Sequence, residues 1–267
     1  MANCAAQYDL NPLRILVTRP LPAGLKLCEQ IQACHGQAIY LPTIYIQSLV
    51  QDQAFQQAIV SLDQQDWLIF ISPQAVLTSV PTIHTYWPQL PAKLQIAAIG
   101  KGTAEALHDQ KLTVTVYPEI EWSSEGLLAM SEFQNVARKH IAIVRGEGGR
   151  KILMEVLIKR GAHILSLIAY RRTLPEINVN YYQSLLQQQQ IDVIVCTSKE
   201  GVNNLLTLLG ETIRPDLLSL PLVVVSERMR AFAELAGFQA IWVAKNASHA
   251  AVVDVLAMIR KQLCPIR

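Results

Sequence analysis

Short apolar runs alternate along the chain with longer stretches in which apolar residues return at helical spacing. The first pattern suits strands covered on both faces, the second amphipathic helices. Arg14–Thr18 (RILVT) predicts a strand and Pro22–Cys34 a helix, with Gly36 as its C-terminal cap. Gln37–Ser48 reads as extended and β-branched around Pro42. A helix is expected over Asp52–Leu62, then a strand at Asp66–Ile71 and a helix over Pro73–Val80 after Ser72. Leu94–Ile99 predicts a strand, Thr103–Asp109 a helix and Val114–Tyr117 a short strand, and a helix follows Ser123 and Ser124. Ile141–Val144 reads as a strand running into a glycine-rich turn and a helix, and His163–Arg172 as extended. Beyond it come a helix at Asn180–Gln189 and strands at Asp192–Thr197 and Leu222–Val225. A helix ending before Gly237, a strand at Ala240–Val243 and a helix at Ala250–Leu263 complete the reading. Strand–helix alternation of this kind predicts parallel sheets with helices on both faces.

The pattern also repeats. Arg19 and Arg145 each end a strand and stand 126 positions apart. DWLIFISPQAV from Asp66 matches DVIVCTSKEGV from Asp192, and LQIAAIG from Leu94 matches LPLVVVS from Leu220, both at offset 126. Leu27 and Glu29 recur as Leu153 and Glu155. Buried strands resemble one another by composition, but composition does not hold a fixed register. The offset therefore predicts a duplication: α/β class, two similar doubly wound (Rossmann/flavodoxin-like) parallel-sheet domains. The extended segments Gln37–Ser48 and His163–Arg172 fall at equivalent places in the repeat and suit two paired strands linking the domains.

Composition narrows the function. In 267 residues half are apolar and few are charged, so a sizeable core is expected. A net charge near +2 disfavours a generic nucleic-acid binder. The five cysteines form no CxxC pair, which suits buried thiols in a reducing cytoplasm. MANCAAQYDLNP lacks the basic start and apolar core of a secretion signal, and no apolar run approaches a membrane span. A cytoplasmic protein with no membrane partner is expected. Nothing signals oligomerisation, and a monomer is expected.

Candidate chemistry gathers where strands end. In IAIVRGEGGR (Ile141–Arg150) three glycines, Gly146, Gly148 and Gly149, follow Arg145 and precede Arg150. Such a turn either offers backbone N–H groups and forked guanidinium bonds to an anion, or simply closes a tight strand–helix junction. Thr18, Arg19, Ser72, Gly100 to Thr103, Arg145, Thr197, Ser198, Ser226 and Arg228 share the same kind of edge. Ligands of doubly wound sheets bind there, and serines there also cap helices. GKGT (Gly100–Thr103) is too short for a phosphate-binding loop, and no G-x-G-x-x-G follows any strand. No nucleophile elbow and no metal-ligand spacing among the six histidines emerges. Glu147, Glu200 and Glu227 read as solvated acids or as proton-transfer groups.

Together, ILVTRPLPAG from Ile15, IAIVRGEGGR, IAYRRT at Ile168–Thr173, VCTSKEGVNNL from Val195 and VVVSERMRAFAELAGF from Val223 resemble the uroporphyrinogen-III synthase family of bacterial type. The resemblance implies two α/β domains joined by a two-stranded ladder. Residues 1–38 with 174–267 would form one domain, 49–162 the other, and 39–48 and 163–173 the linker strands. It implies a lyase that closes the polycarboxylate linear tetrapyrrole hydroxymethylbilane, with loss of water and inversion of ring D, in haem and sirohaem biosynthesis. No metal or cofactor is implied. Such a reaction needs donors for many carboxylates, an acid for the departing hydroxyl and a cleft that stabilises a cationic intermediate.

By position, the family's tyrosine falls on Tyr170, implied to assist hydroxyl departure. Its strand-end threonine falls on Thr103, and its serine on Ser198. Many relatives carry a threonine near Met229, where this chain reads SERMR, so Ser226 or Arg228 stands in. Arg19, Arg145, Arg150 and Lys199 are candidates for carboxylate contacts, with Ser72 and the Gly146 N–H as further donors. Two other classes stay open: a two-lobed cytoplasmic small-anion-binding protein without catalysis, and a nucleotide-dependent transferase, disfavoured by the missing phosphate loop.

Overall fold

The computed structural model describes residues 8–149 and 151–263, so Arg150, Cys4 and Cys264 lie outside the described residues. In chain order the elements are β1 (Arg14–Val17), α1 (Ala23–Ala33), β2 (Gln37–Tyr40), β3 (Tyr45–Ser48), α2 (Gln53–Val60), β4 (Trp67–Phe70), α3 (Pro73–Tyr86), β5 (Gln95–Ala98) and α4 (Lys101–Asp109). They continue with α5 (Ser124–Ala129), α6 (Ser131–Gln134), β6 (His140–Gly146), α7 (Ile152–Lys159), β7 (His163–Thr173) and α8 (Val179–Gln187). The last are β8 (Val193–Val195), α9 (Lys199–Leu209), α10 (Arg214–Ser219), β9 (Leu222–Val224), α11 (Glu227–Leu235), β10 (Ile241–Val243) and α12 (His249–Leu263). The chain forms two compact units. The first takes the chain up to Ile46 and again from Thr173 onward, and the second is Gln47–Arg172.

Each unit is built on a five-stranded sheet, ordered β10-β9-β8-β1-β2 in the first and β3-β7-β6-β4-β5 in the second. The offset of 126 governs their registers. Ile15 pairs with Val193 in the first sheet, and Ile141 with Trp67 in the second, each residue 126 positions from its counterpart. Arg14 with Gln37 corresponds in the same way to His140 with His163. Val223 with Trp242 corresponds to the isolated bridge between Ala97 and Val116. Central strands therefore pair across repeats, β1 with β8 and β6 with β4.

The charges at the strand starts follow the same rule. Asp192 accepts from the Arg14 backbone N–H at 2.7 Å, and Asp66 from the equivalent His140 N–H at 2.9 Å. Arg14 adds a fork onto Asp192, with Nε–Oδ2 at 2.9 Å and Nη2–Oδ1 at 2.6 Å, a geometry matched to a carboxylate.

Continuous apolar strands are explained by what covers them. In the first unit Ile15, Val17, Val193 and Val195 pack on one face with Leu27, Ile31, Val252 and Leu256. Leu16, Ile194, Leu222 and Val224 pack on the other with Val202, Leu205, Leu209 and Ala233. Each such side chain stabilises the fold by about 1.5–3 kcal/mol. In the second unit Trp67, Ile69, Ile141 and Ile143 meet Leu127, Leu153 and Leu157, with the Trp67 and Phe133 rings 4.9 Å apart. Leu68, Phe70, Ala142 and Val144, of opposite parity, are equally buried.

Two expectations change, and two short helices are added. Gln37–Ser48 is broken at residues 41–44, so that β2 pairs with β1 while β3 lies beside β7 in the second sheet. Val114–Tyr117 contributes one bridge rather than a strand. Arg214–Ser219 and Ser131–Gln134 form short helices that the spacing of apolar residues did not announce.

Candidate active site

In the second unit, hydroxyls and a tyrosine meet where β4, β6 and β7 end. Ser72 follows β4 and caps α3, its Oγ accepting from the Ala75 N–H at 3.0 Å. The Tyr170 hydroxyl lies 3.2 Å from the same Oγ. Tyr170 reaches it through an irregularity in β7. Arg145 pairs with Ile168 but Gly146 with Tyr170, so Ala169 is an extra residue on the β7 side. Along the strand Ser166 and Ile168 are exposed and Leu167 and Ala169 buried, but Tyr170 is buried too, at 3% exposure. A bulge that breaks alternation in this way re-aims one side chain, and here it turns Tyr170 inward.

Gly146 makes room for that ring. A Cβ on Gly146 would stand 2.6 Å from Tyr170 Cζ and 2.7 Å from Cε2, inside any real carbon contact. Arg172 lies toward the ring face, with Cζ 5.8 Å from the centroid. The Glu147 N–H donates to the Tyr170 carbonyl at 2.7 Å, while its carboxylate pairs with Arg171, Nη2–Oε1 2.7 Å. The bond from Arg171 holds the Glu147 carboxyl below the usual carboxylate range, as an exposed ion pair.

Arg145 is buried and turned onto its own loop. Its Nε donates to the Gly146 carbonyl at 3.1 Å, its Nη2 to the Gly148 carbonyl, and its Nη1 lies 3.3 Å from Met154 Sδ. Gly148 and Gly149 adopt φ of +73° and +78°, conformations open to glycine, which turn a carbonyl toward the guanidinium. The glycine turn thus presents oxygens to Arg145. Thr103 is buried near the start of α4, following Gly100 at the end of the β5 segment.

The first unit carries the matching edge without the tyrosine. Ser198 caps α9 through the Gly201 N–H at 2.9 Å, and Ser226 caps α11 through the Met229 N–H at 3.3 Å. Lys199 Nζ stands 5.1 Å from the centroid of the Phe232 ring, and Arg228 is exposed on α11. Met229 is buried. Arg19 donates from Nη1 to the Ala247 carbonyl at 2.9 Å and meets no carboxylate among the described residues. Partial burial lowers its pKa. Burial, with the nearby charges of Arg19 and Lys26, also holds the His249 imidazole below its ordinary range.

Two residues that the sequence did not single out organise this edge. Thr43 donates to the Thr18 carbonyl at 3.2 Å, and Asn204 Nδ2 to the Thr43 carbonyl at 2.8 Å. Thr18 itself donates to the Val195 carbonyl at 2.9 Å. These bonds fix residues 41–44, where the chain leaves β2, and no motif spacing predicts bonds over such separations. Among the described residues no three His, Cys, Asp or Glu side chains converge to hold a metal ion. No described helix is long and apolar enough to cross a membrane.

The family model described as uroporphyrinogen-III synthase HemD matches residues 26–254. The uroporphyrinogen-III synthase of Escherichia coli (strain K12) is 33% identical over 248 residues, covering 91% of this chain and all of that protein. The Salmonella typhimurium enzyme of the same name is 31% identical over 245 residues, again covering 91% of this chain and all of that protein. Among solved structures, a mutant uroporphyrinogen III synthase from the extremely thermophilic bacterium Thermus thermophilus superposes with a TM-score of 0.64, covering 94% of this chain and 99% of that one. At 15% identity that likeness speaks for the two-domain α/β fold. By family-model span and by full-length identity to the enterobacterial enzymes, this chain belongs to the uroporphyrinogen-III synthase family.

Proposed function

We propose that this protein is a cyclising hydro-lyase that converts hydroxymethylbilane to uroporphyrinogen III with loss of water and inversion of ring D. The observation that carries the reading is identity at 33% along the whole length of the Escherichia coli synthase. The chemistry asks for an acid at the departing hydroxyl, and Tyr170 is the group proposed for it. Its hydroxyl breaks its O–H bond and protonates the leaving oxygen, the C–O bond breaks to release water, and a cation and a phenolate remain. The proton lost when the macrocycle closes restores the phenol. No metal or cofactor enters these steps.

Ser198 and Ser226 are proposed to face substrate with what their hydroxyls and nearby backbone leave free after capping, and Thr103, inside the first turn of α4, with its hydroxyl. Arg19, Lys199 and Arg228 are proposed to meet carboxylates, along with Arg150, which lies outside the described residues. For Arg19 the support is a half-buried guanidinium that, among the described residues, donates to a carbonyl and meets no carboxylate. A second guanidinium–oxygen bond, to a propionate, would supply the counter-charge that the carbonyl does not. Arg145 and the Gly146 turn are proposed to shape the edge, since the guanidinium is engaged by loop carbonyls. The protein is read as a cytoplasmic monomer. The test is to supply enzymatically made hydroxymethylbilane and separate uroporphyrin isomers I and III after oxidation. Type III product is expected; type I alone refutes the synthase and leaves anion binding without catalysis.

A further inference from the structure

We infer that Ser72 is a positioning residue for Tyr170, donating its hydroxyl hydrogen to the phenolic oxygen as the proton leaves. The inference rests on the proposed acid role of Tyr170. Ser72 Oγ already accepts from the Ala75 N–H at 3.0 Å, which fixes the oxygen and leaves its one hydrogen uncommitted. The Tyr170 oxygen stands 3.2 Å away. At rest either hydroxyl can donate to the other. Once Tyr170 gives its proton away, only the Ser72 O–H is left to point at the phenolate. A donor placed where charge develops, and held there beforehand by a helix cap, is worth more in the charged state than at rest.

The duplication separates this task from capping. Ser198 stands 126 positions after Ser72 and makes the same cap, at 2.9 Å to the Gly201 N–H. The residue 126 positions before Tyr170 is Ile44, and the one before Gly146 is Pro20. Both halves therefore keep the serine for the helix. At these positions, among the described residues, only the second unit has a phenol, a glycine against which its ring can lie and a bulge that turns it inward; the first unit instead packs Tyr40, at the end of β2, against Gly24. The first unit makes the same cap without a tyrosine at the position equivalent to Tyr170.

Three substitutions of Ser72 divide the roles. Ser72→Ala removes cap and donor, Ser72→Thr keeps both, and Ser72→Asp keeps a capping acceptor but, ionised, has no hydrogen to give. Turnover is measured as type III product, and stability by urea unfolding. Ser72→Ala is expected to lower kcat about ten- to a hundredfold, the worth of one hydrogen bond to a charged group, with KM within about twofold. Ser72→Thr is expected to restore kcat, and Ser72→Asp to restore the unfolding midpoint but not kcat. In a Tyr170→Phe background Ser72→Ala is expected to lower kcat no further, because the two act as a unit. Wild-type kcat in Ser72→Asp, or losses that multiply in the double variant, overturns the inference while Tyr170 keeps its role. Wild-type kcat in Tyr170→Phe overturns the acid reading itself, and the inference with it.

Discussion

Replacing Gly146 by alanine tests whether the placement of the Tyr170 ring matters to the reaction. Gly146 is not among the glycines with positive φ, so alanine meets no backbone penalty there. The conflict lies in the space in front of it. The new methyl would stand 2.6 Å from Tyr170 Cζ, 2.7 Å from Cε2 and 3.0 Å from the hydroxyl oxygen. Carbon atoms settle at roughly 3.5–4.0 Å, so ring and strand must separate by about 1 Å. The 3.2 Å contact between Tyr170 and Ser72 has little slack, and such a shift takes it beyond hydrogen-bond range. Overpacking of this size costs about 1–3 kcal/mol of stability. A catalytic group misplaced by 1 Å loses roughly a hundredfold in rate. The expected outcome is a cooperative urea transition with a modestly lowered midpoint, and a kcat for type III product down by about two orders of magnitude. A folded variant that keeps kcat within about threefold of wild type would sink the argument that this ring position is needed.

Tyr40 and His249 give two further tests in the first unit. The Tyr40 hydroxyl is buried with no hydrogen-bond partner among the described residues, and burial pushes its pKa up to about 12. Tyr40→Phe removes an unmet polar group, so urea unfolding should show a gain of about 1 kcal/mol; a loss would mean that the hydroxyl has a partner. The folded state holds the His249 pKa below its ordinary value near 6.5, chiefly by burial. As pH falls through that ordinary value the unfolded chain takes up a proton that the folded one does not, so stability declines. His249→Gln should flatten that decline between about pH 6.5 and 5, and an unchanged slope would assign it to other groups.

Much of the architecture was legible because it rests on local pattern. Continuous apolar runs announced strands covered on both faces, and the offset of 126 carried over into the pairing registers, down to Asp66 and Asp192 on equivalent N–H groups. Hydroxyls at strand ends were legible as caps, and Ser72, Ser198 and Ser226 all cap helices. The glycine cluster after Arg145 was legible as a special turn but not as to its guest. A guanidinium nine residues from Met154 and three from Gly148 folds back on them, and spacing does not say which way a turn points its carbonyls. The bulge at Ala169 was invisible because it is a property of pairing between two strands. Val114–Tyr117 has a strand's composition but only Val116 bridges to Ala97, at the outer edge of the β5 side of the sheet.

The duplicated fold also indicates which residues answer to the fold and which to chemistry. Where both halves keep a residue and its contact, the contact serves architecture. Ser72 and Ser198 cap helices through equivalent N–H groups, those of Ala75 and Gly201. Where the halves differ at the strand-end edge, each holds polar groups that the other lacks: the second unit has Tyr170 against Ile44 and Thr103 against Met229, the first Ser226 against Gly100 and Arg228 against Gly102. Closing a linear tetrapyrrole needs an acid at one terminus only, because a single hydroxyl departs. A second phenol at the equivalent edge would have no leaving group to protonate. Burying it would carry the desolvation cost that Tyr40 already illustrates. Asymmetry imposed on a repeated scaffold is therefore what the proposed reaction demands, and Ser72 marks where it begins: a capping serine common to both halves that has acquired a tyrosine in one.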